Sequence, residues 1–134
     1  MNGEAMVAAA RACVGARFRP QGRDPETGLD CLGVVLIALA AAECVADAPR
    51  DYALSGNGLA NSLESGLRAA NCKRVLACEP GDVILFEPAP GQAHLAVASL
   101  NGVIHAHLGV GRVVESPPDP AWLRRSIWRY GEAI

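Results

Sequence analysis

The feature that most constrains this fold is a change of pattern near Arg74. Residues before it carry helical spacing, and residues after it form short apolar runs separated by turn residues. Residues 4–15 (EAMVAAARACVG) are alanine-rich and end at a glycine, which predicts a helix and its C-terminal cap. Residues 31–45 (CLGVVLIALAAAECV) are apolar nearly all round, the mark of a buried central helix, and Asp30 stands at its N-cap position. A third helix is predicted from Gly58 to Ala70, where Leu59, Leu63 and Leu67 share a face. Between the first two helices, residues 16–30 (ARFRPQGRDPETGLD) mix prolines, glycines and charges and read as an irregular loop, long enough in a small domain to suggest function.

Beyond Arg74, VLACEPGDVILFEP supplies two apolar runs around a Pro-Gly turn. HLAVASL and VIHAHL flank Asn101-Gly102, a strong signal for a two-residue hairpin loop. RVVES predicts a further strand, and the PPDP segment then interrupts the chain before WLRRSIWRYGEAI. Helices first and an antiparallel meander after imply a single α+β domain over residues 1–134, its N-terminal helices packed on one face of a C-terminal sheet.

Composition narrows the class of function. With 51% hydrophobic and 19% charged residues the chain has a globular balance, and a net charge of −2 gives no reason to expect a nucleic-acid partner. The longest apolar run, Leu32 to Ala42, is roughly half of what a membrane span needs. The N-terminus places Glu4 ahead of its arginines, the wrong order for a secretory signal, so synthesis in the cytoplasm without an export address is expected. The 5 cysteines are odd in number and irregular in spacing, which predicts free thiols. Zinc is disfavoured, because Cys72 and Cys78 form no Cys-x-x-Cys pair and the histidines cluster elsewhere. No metal and no cofactor is expected.

Among the thiols, Cys31 has a distinctive setting. It opens the central helix, where unpaired backbone N–H groups and the helix dipole favour a thiolate and can hold an oxyanion. A cysteine in an apolar helix is ordinarily core, but a helix start after a long polar loop is reachable by substrate. Cys13, Cys44, Cys72 and Cys78 lack that setting. The 3 histidines, His94, His105 and His107, all fall in the predicted hairpin. With an Asn101-Gly102 loop, Ala98 faces His105 and Ala96 faces His107, and alternation puts His94 on the same face. A thiol nucleophile needs a base and an orienting third group, and this face offers both.

These residues carry a resemblance. GLDCLGVV at 28–35, PGDVILF at 80–86, HLAVA at 94–98 and VIHAHLG at 103–109 resemble the NlpC-type cell-wall cysteine peptidases in order and spacing. The Asp-Cys-Leu-Gly variant, with VVESPPDPAWLRR at 113–125, is similar to the branch carried on tails of phages and prophages. The resemblance implies a papain-like fold and hydrolysis of a peptide bond in peptidoglycan stems, typically between γ-D-glutamate and a diamino acid. It implies Cys31 as nucleophile, His94 as general base and His105 as the third member that orients His94. Asp30 matches an acidic residue that can hold a free substrate amino terminus. Phe18 stands where the family usually has an active-site tyrosine, and Leu32 where secreted members commonly have serine. Strand pairing alone sets His107 diagonal to His94, so His107 stays open as third member or substrate contact. The same scaffold would serve an amidase or transacylase, or a tail-assembly or wall-binding module without catalysis. The phage-branch likeness implies partners in a phage-like tail hub and release on a particle or by lysis.

The remaining marks are structural. Gly109-Val-Gly111 reads as a turn, since no helix follows it. Trp122, Arg124, Arg125, Trp128, Arg129 and Tyr130 form a basic aromatic segment, expected to pack on the sheet or to dock a partner protein.

Overall fold

The computed structural model describes residues 2–44 and 58–131. Helix α1 (Asn2–Ala12) buries Met6, Val7 and Ala10 and lies against α2 (Cys31–Ala41). The helix predicted over 31–45 ends earlier, at Ala41 with Ala42 as its C-cap; Val45 itself lies outside the described residues. Burial of Val34, Val35 and Leu39, each 1% exposed or less, fixes α2 against the sheet and contributes about 1.5–3 kcal/mol per side chain. The Asp30 carboxylate caps α2 by accepting the Gly33 N–H at 2.8 Å.

The loop before α2 is more ordered than its composition predicts. It contains a two-residue antiparallel pair, β1 (Arg23–Asp24) with β2 (Gly28–Leu29). Asp30 anchors it too, accepting from the Gln21 N–H at 2.8 Å and pairing with Arg23 at 3.2 Å. Gly33 is needed because a Cβ there would stand 2.3 Å from the Gly22 carbonyl oxygen.

Helix α3 (Leu59–Ala69) leads into a six-stranded antiparallel sheet. Its strands are β3 (Cys72–Val75), β4 (Val83–Glu87), β5 (His94–Ser99), β6 (Gly102–His107), β7 (Arg112–Ser116) and β8 (Leu123–Tyr130). The spatial order is β3-β8-β4-β5-β6-β7, so the C-terminal segment, expected to pack on the sheet or to dock a partner, is itself an interior strand of the sheet. Trp128 on it is 1% exposed, and Arg129 pairs with Asp82 at 2.8 Å. One face packs Val83, Leu85, Leu95, Val97 and Ile104 on the helices; the other holds Ile84, Phe86, Ala96, Ala98 and Val103. Burial on both faces explains the unbroken apolar runs of β4 and β5.

The hairpin register differs from expectation. Ser99 pairs with Gly102, and Ala98 with Val103, so the turn residues are Leu100 and Asn101. Gly102 belongs to the strand: its φ is +145°, and a Cβ there would meet the Ser116 carbonyl oxygen at 2.3 Å. The glycine answers to the approach of β7, not to the turn. The displacement is by two residues, and because side chains alternate with period two it leaves the histidines on one face.

A bulge interrupts the β4–β8 ladder. Leu85 pairs with Ser126 but Phe86 pairs with Arg124, so Arg125 is the extra residue. Ser126 and Trp128 therefore face the helices, while the chain beyond the bulge delivers Trp122 to the opposite face, against Phe86.

Candidate active site

Two layers meet at the start of β5. From the helix layer comes Cys31, 9% exposed, at the first residue of α2. From the far sheet face comes His94, the first residue of β5, paired across the ladder with Phe86. Both line a cleft of about 300 Å³, together with His107, Phe18, Gln92 and Trp122.

The histidines form a chain of contacts. His94 Nε2 and His105 Nδ1 share a hydrogen bond of 2.6 Å. It is His105, not His107, that makes this bond, and His105 is 2% exposed. The His107 ring lies 5.4 Å from that of His105, and its Nδ1 accepts the Val110 N–H at 3.2 Å. Neutral His107 therefore carries its proton on Nε2.

Electrostatics depart from the helix-start argument. Burial pushes the Cys31 thiol up to about 11, and the neighbouring Asp30 carboxylate adds to the rise. Backbone hydrogen bonds from Leu95, Leu32 and Cys31 itself pull it down, without overcoming burial. Burial likewise lowers His94 to about 3, assisted by His105 and His107, and lowers His105 to about 4, assisted by His107. These shifts place a thiol at Cys31 beside uncharged His94 and His105 at neutral pH, not a preformed ion pair.

Asp30 is 0% exposed and does not line the cleft. Its carboxylate serves the cap and the loop, so contact with a substrate amino group has no access in this arrangement. Phe18 does line the cleft and offers only an apolar ring there. Sequence reasoning did not place Trp122 at the site; it grouped it with the segment expected to pack on the sheet or to dock a partner protein. The indole lies 5.0 Å from the His94 ring, 5.8 Å from His105 and 6.2 Å from His107. A tryptophan directly after a proline-rich break was the available signal. Gln92 carried none.

The cysteines are free, and among the described residues no group of side chains is arranged to hold a metal ion. No helix there is long and apolar enough to cross a membrane. No family profile matches the chain, and no curated protein matches it in sequence. Solved structures do. The P60 domain of an antigen from Mycobacterium avium subspecies paratuberculosis superposes with a TM-score of 0.66 at 19% identity, over 96% of this chain and 93% of that one. The NlpC/p60 domain of the peptidoglycan hydrolase SagA gives 0.60 at 25% identity, over 87% and 90% of the two chains. RipD of Mycobacterium tuberculosis, a non-catalytic NlpC/p60 domain protein adapted to peptidoglycan binding, gives 0.63 at 18% identity, over 96% and 97%. The fold is thus the α+β, papain-like arrangement of NlpC/p60 domains.

Proposed function

We propose that this protein is a cysteine peptidase that hydrolyses peptide bonds in bacterial peptidoglycan. The observation that carries the reading is the meeting of Cys31 and His94 in one cleft, with His94 held by His105. The likeness to SagA, a peptidoglycan hydrolase, supports the substrate class.

In this reading His94 donates its Nε2–H to His105 Nδ1, which leaves His94 Nδ1 as a base. It takes the Cys31 proton as sulfur bonds to the substrate carbonyl carbon, so thiolate character develops during attack rather than at rest. Backbone N–H groups at the start of α2 stabilise the oxyanion. His94 then protonates the departing amine, and water cleaves the thioester to release the acid and regenerate the thiol. The target bond is the one between γ-D-glutamate and a diamino acid, and the motif variant at 28–35 favours a subunit that opens the wall for a phage-like particle. Mass spectrometry of muropeptides digested by the purified protein reads the first point; a proteomic search of purified particles reads the second.

Replacing Cys31 by alanine tests the core of the proposal. Release of cleaved muropeptides falls to background, and undiminished release would sink the mechanism. A second reading is a peptidoglycan-binding module without catalysis. The raised thiol of Cys31 favours it, and RipD shows that such a domain exists on this fold. Retention on sacculi with no product from the unaltered protein would establish that alternative.

A further inference from the structure

Trp122 has no part in the roles described so far, yet it has more aromatic neighbours than any other side chain at the site. Its indole meets the Phe86 ring at 5.7 Å and the His94 ring at 5.0 Å, both edge to face, and lines the cleft with Cys31. It reaches that position only because the Arg125 bulge turns the chain before β8 onto the histidine face.

We infer that Trp122 is a positioning residue that shields the His94–His105 hydrogen bond from water and thereby fixes the tautomer in which His94 faces the cleft with a free Nδ1. The inference rests on the peptidase reading for its kinetic consequence, but its structural content stands apart from it. A 2.6 Å imidazole–imidazole bond keeps its direction only if water does not compete for the same atoms. With His94 as donor, neutral His105 carries its proton on Nε2. That atom is buried, with no nitrogen or oxygen partner among the described residues. The indole stands at 88° to the His105 ring with centroids 5.8 Å apart, an edge-to-face contact that covers this part of the pair with apolar surface. At 5.0 Å the indole is also close enough to attract the imidazolium that His94 becomes after taking the thiol proton. Trp122 thus favours the charged intermediate while keeping the resting pair dry.

The groups that face His94 are few. Cys31 approaches from α2, and His105 and His107 from β6; Phe86 on β4 and Trp122 bring no charge. Arg124, the ladder partner of Phe86, stands one strand further on. Loss of burial therefore moves His94 upward, toward the ordinary histidine value.

The experiment compares the unaltered protein with Trp122→Ala, Trp122→Leu and Trp122→Phe, following imidazole titration by NMR and muropeptide cleavage against pH. In Trp122→Ala the His94 titration rises by about one unit or more. Its kcat falls by about tenfold or more with little change in KM, because the defect lies in proton transfer rather than in binding. The acid limb of the rate profile moves upward with the titration. Trp122→Phe restores most of both. A titration unchanged in Trp122→Ala overturns the inference, as does a kcat loss that leaves the acid limb in place. If the alanine variant does not fold, Trp122→Leu must show the rise, and an unmoved titration there overturns it. If the unaltered protein cleaves nothing, the peptidase reading fails, and the titration alone decides the shielding.

Discussion

Two buried polar clusters touch β8, and they are built on opposite terms. On the helix face, Glu64 accepts from Ser126 Oγ at 2.7 Å, Trp128 Nε1 donates to the same hydroxyl at 2.8 Å, and Arg125 bridges Asn61 at 2.7 Å and Glu87 at 3.1 Å. Burial alone would push Glu64 up, but the hydrogen bonds from Ser126 and Arg125 outweigh it and hold the carboxyl below its ordinary value. On the other face, His94, His105, His107 and Trp122 share one internal hydrogen bond, and among the described residues they meet no counter-charge and leave His105 Nε2 without a polar partner. The first cluster is satisfied and staples α3 to the sheet. The second is under-satisfied, as the peptidase reading expects of groups used in chemistry rather than stability.

The comparison can be broken by substitutions that should separate activity from folding. The largest effect is expected from His94→Ala, which lowers kcat by about 10²–10⁴-fold. Its melting temperature should stay close to that of the unaltered protein; a collapse in stability would make the histidine cluster structural after all. Next is Glu64→Ala, which strands the Ser126 hydroxyl and destabilises the fold by about 1–3 kcal/mol in denaturant titrations. Cleavage per folded molecule should be unchanged. His105→Leu follows, with kcat reduced by about tenfold or more because His94 loses the acceptor of its Nε2–H, while removal of the unpartnered His105 Nε2 offsets part of the stability lost with that bond.

Acidity sharpens the contrast further. His94 and His105 titrate near 3 and 4 in the folded chain against 6.5 when exposed. The unfolded state therefore binds more protons in that interval, so their stabilising contribution is complete above pH 6.5 and is lost as pH falls through 4 and 3. Thermal melts should decline over this window, and His105→Leu should flatten the decline. Glu64→Gln should flatten it only below the ordinary carboxyl value of 4.5. The smallest effect is expected from the Arg11–Glu115 pair, bidentate at 2.8 Å but on an arginine half exposed. Arg11→Gln should move the melting temperature by no more than about 4 °C.

What was legible in the sequence follows from how local each feature is. The helix start at Asp30-Cys31 is a capping event within four residues, and the structure places the cap where spacing predicts it. The shared face of the histidines survived a wrong pairing, because an error of two residues preserves alternation. The turn was misplaced because Gly102 answers to Ser116, a contact across the sheet that no local signal announces. That residues 122–130 would pack on the sheet was legible; the place of β8 between β3 and β4, and Trp122's position at the cleft, were not, for the same reason. Both depend on strand order, and the bulge depends on a ladder between segments some forty residues apart. The thiol's charge state was misjudged because the helix-start argument counts local dipoles, while burial is decided by the whole fold.

The extra residue in β8 has an implication for how such a protein can vary. One strand presents Ser126 and Trp128 to the helices and delivers Trp122 to the histidines, and a single unpaired position is what lets it do both. Exchanging one side chain for another along this strand alters one cluster at a time. Deleting the residue would bring the strand's two ends into phase and swap the environments on either side of the gap. Segment length, more than the identity of any one side chain, keeps the two clusters on their separate faces.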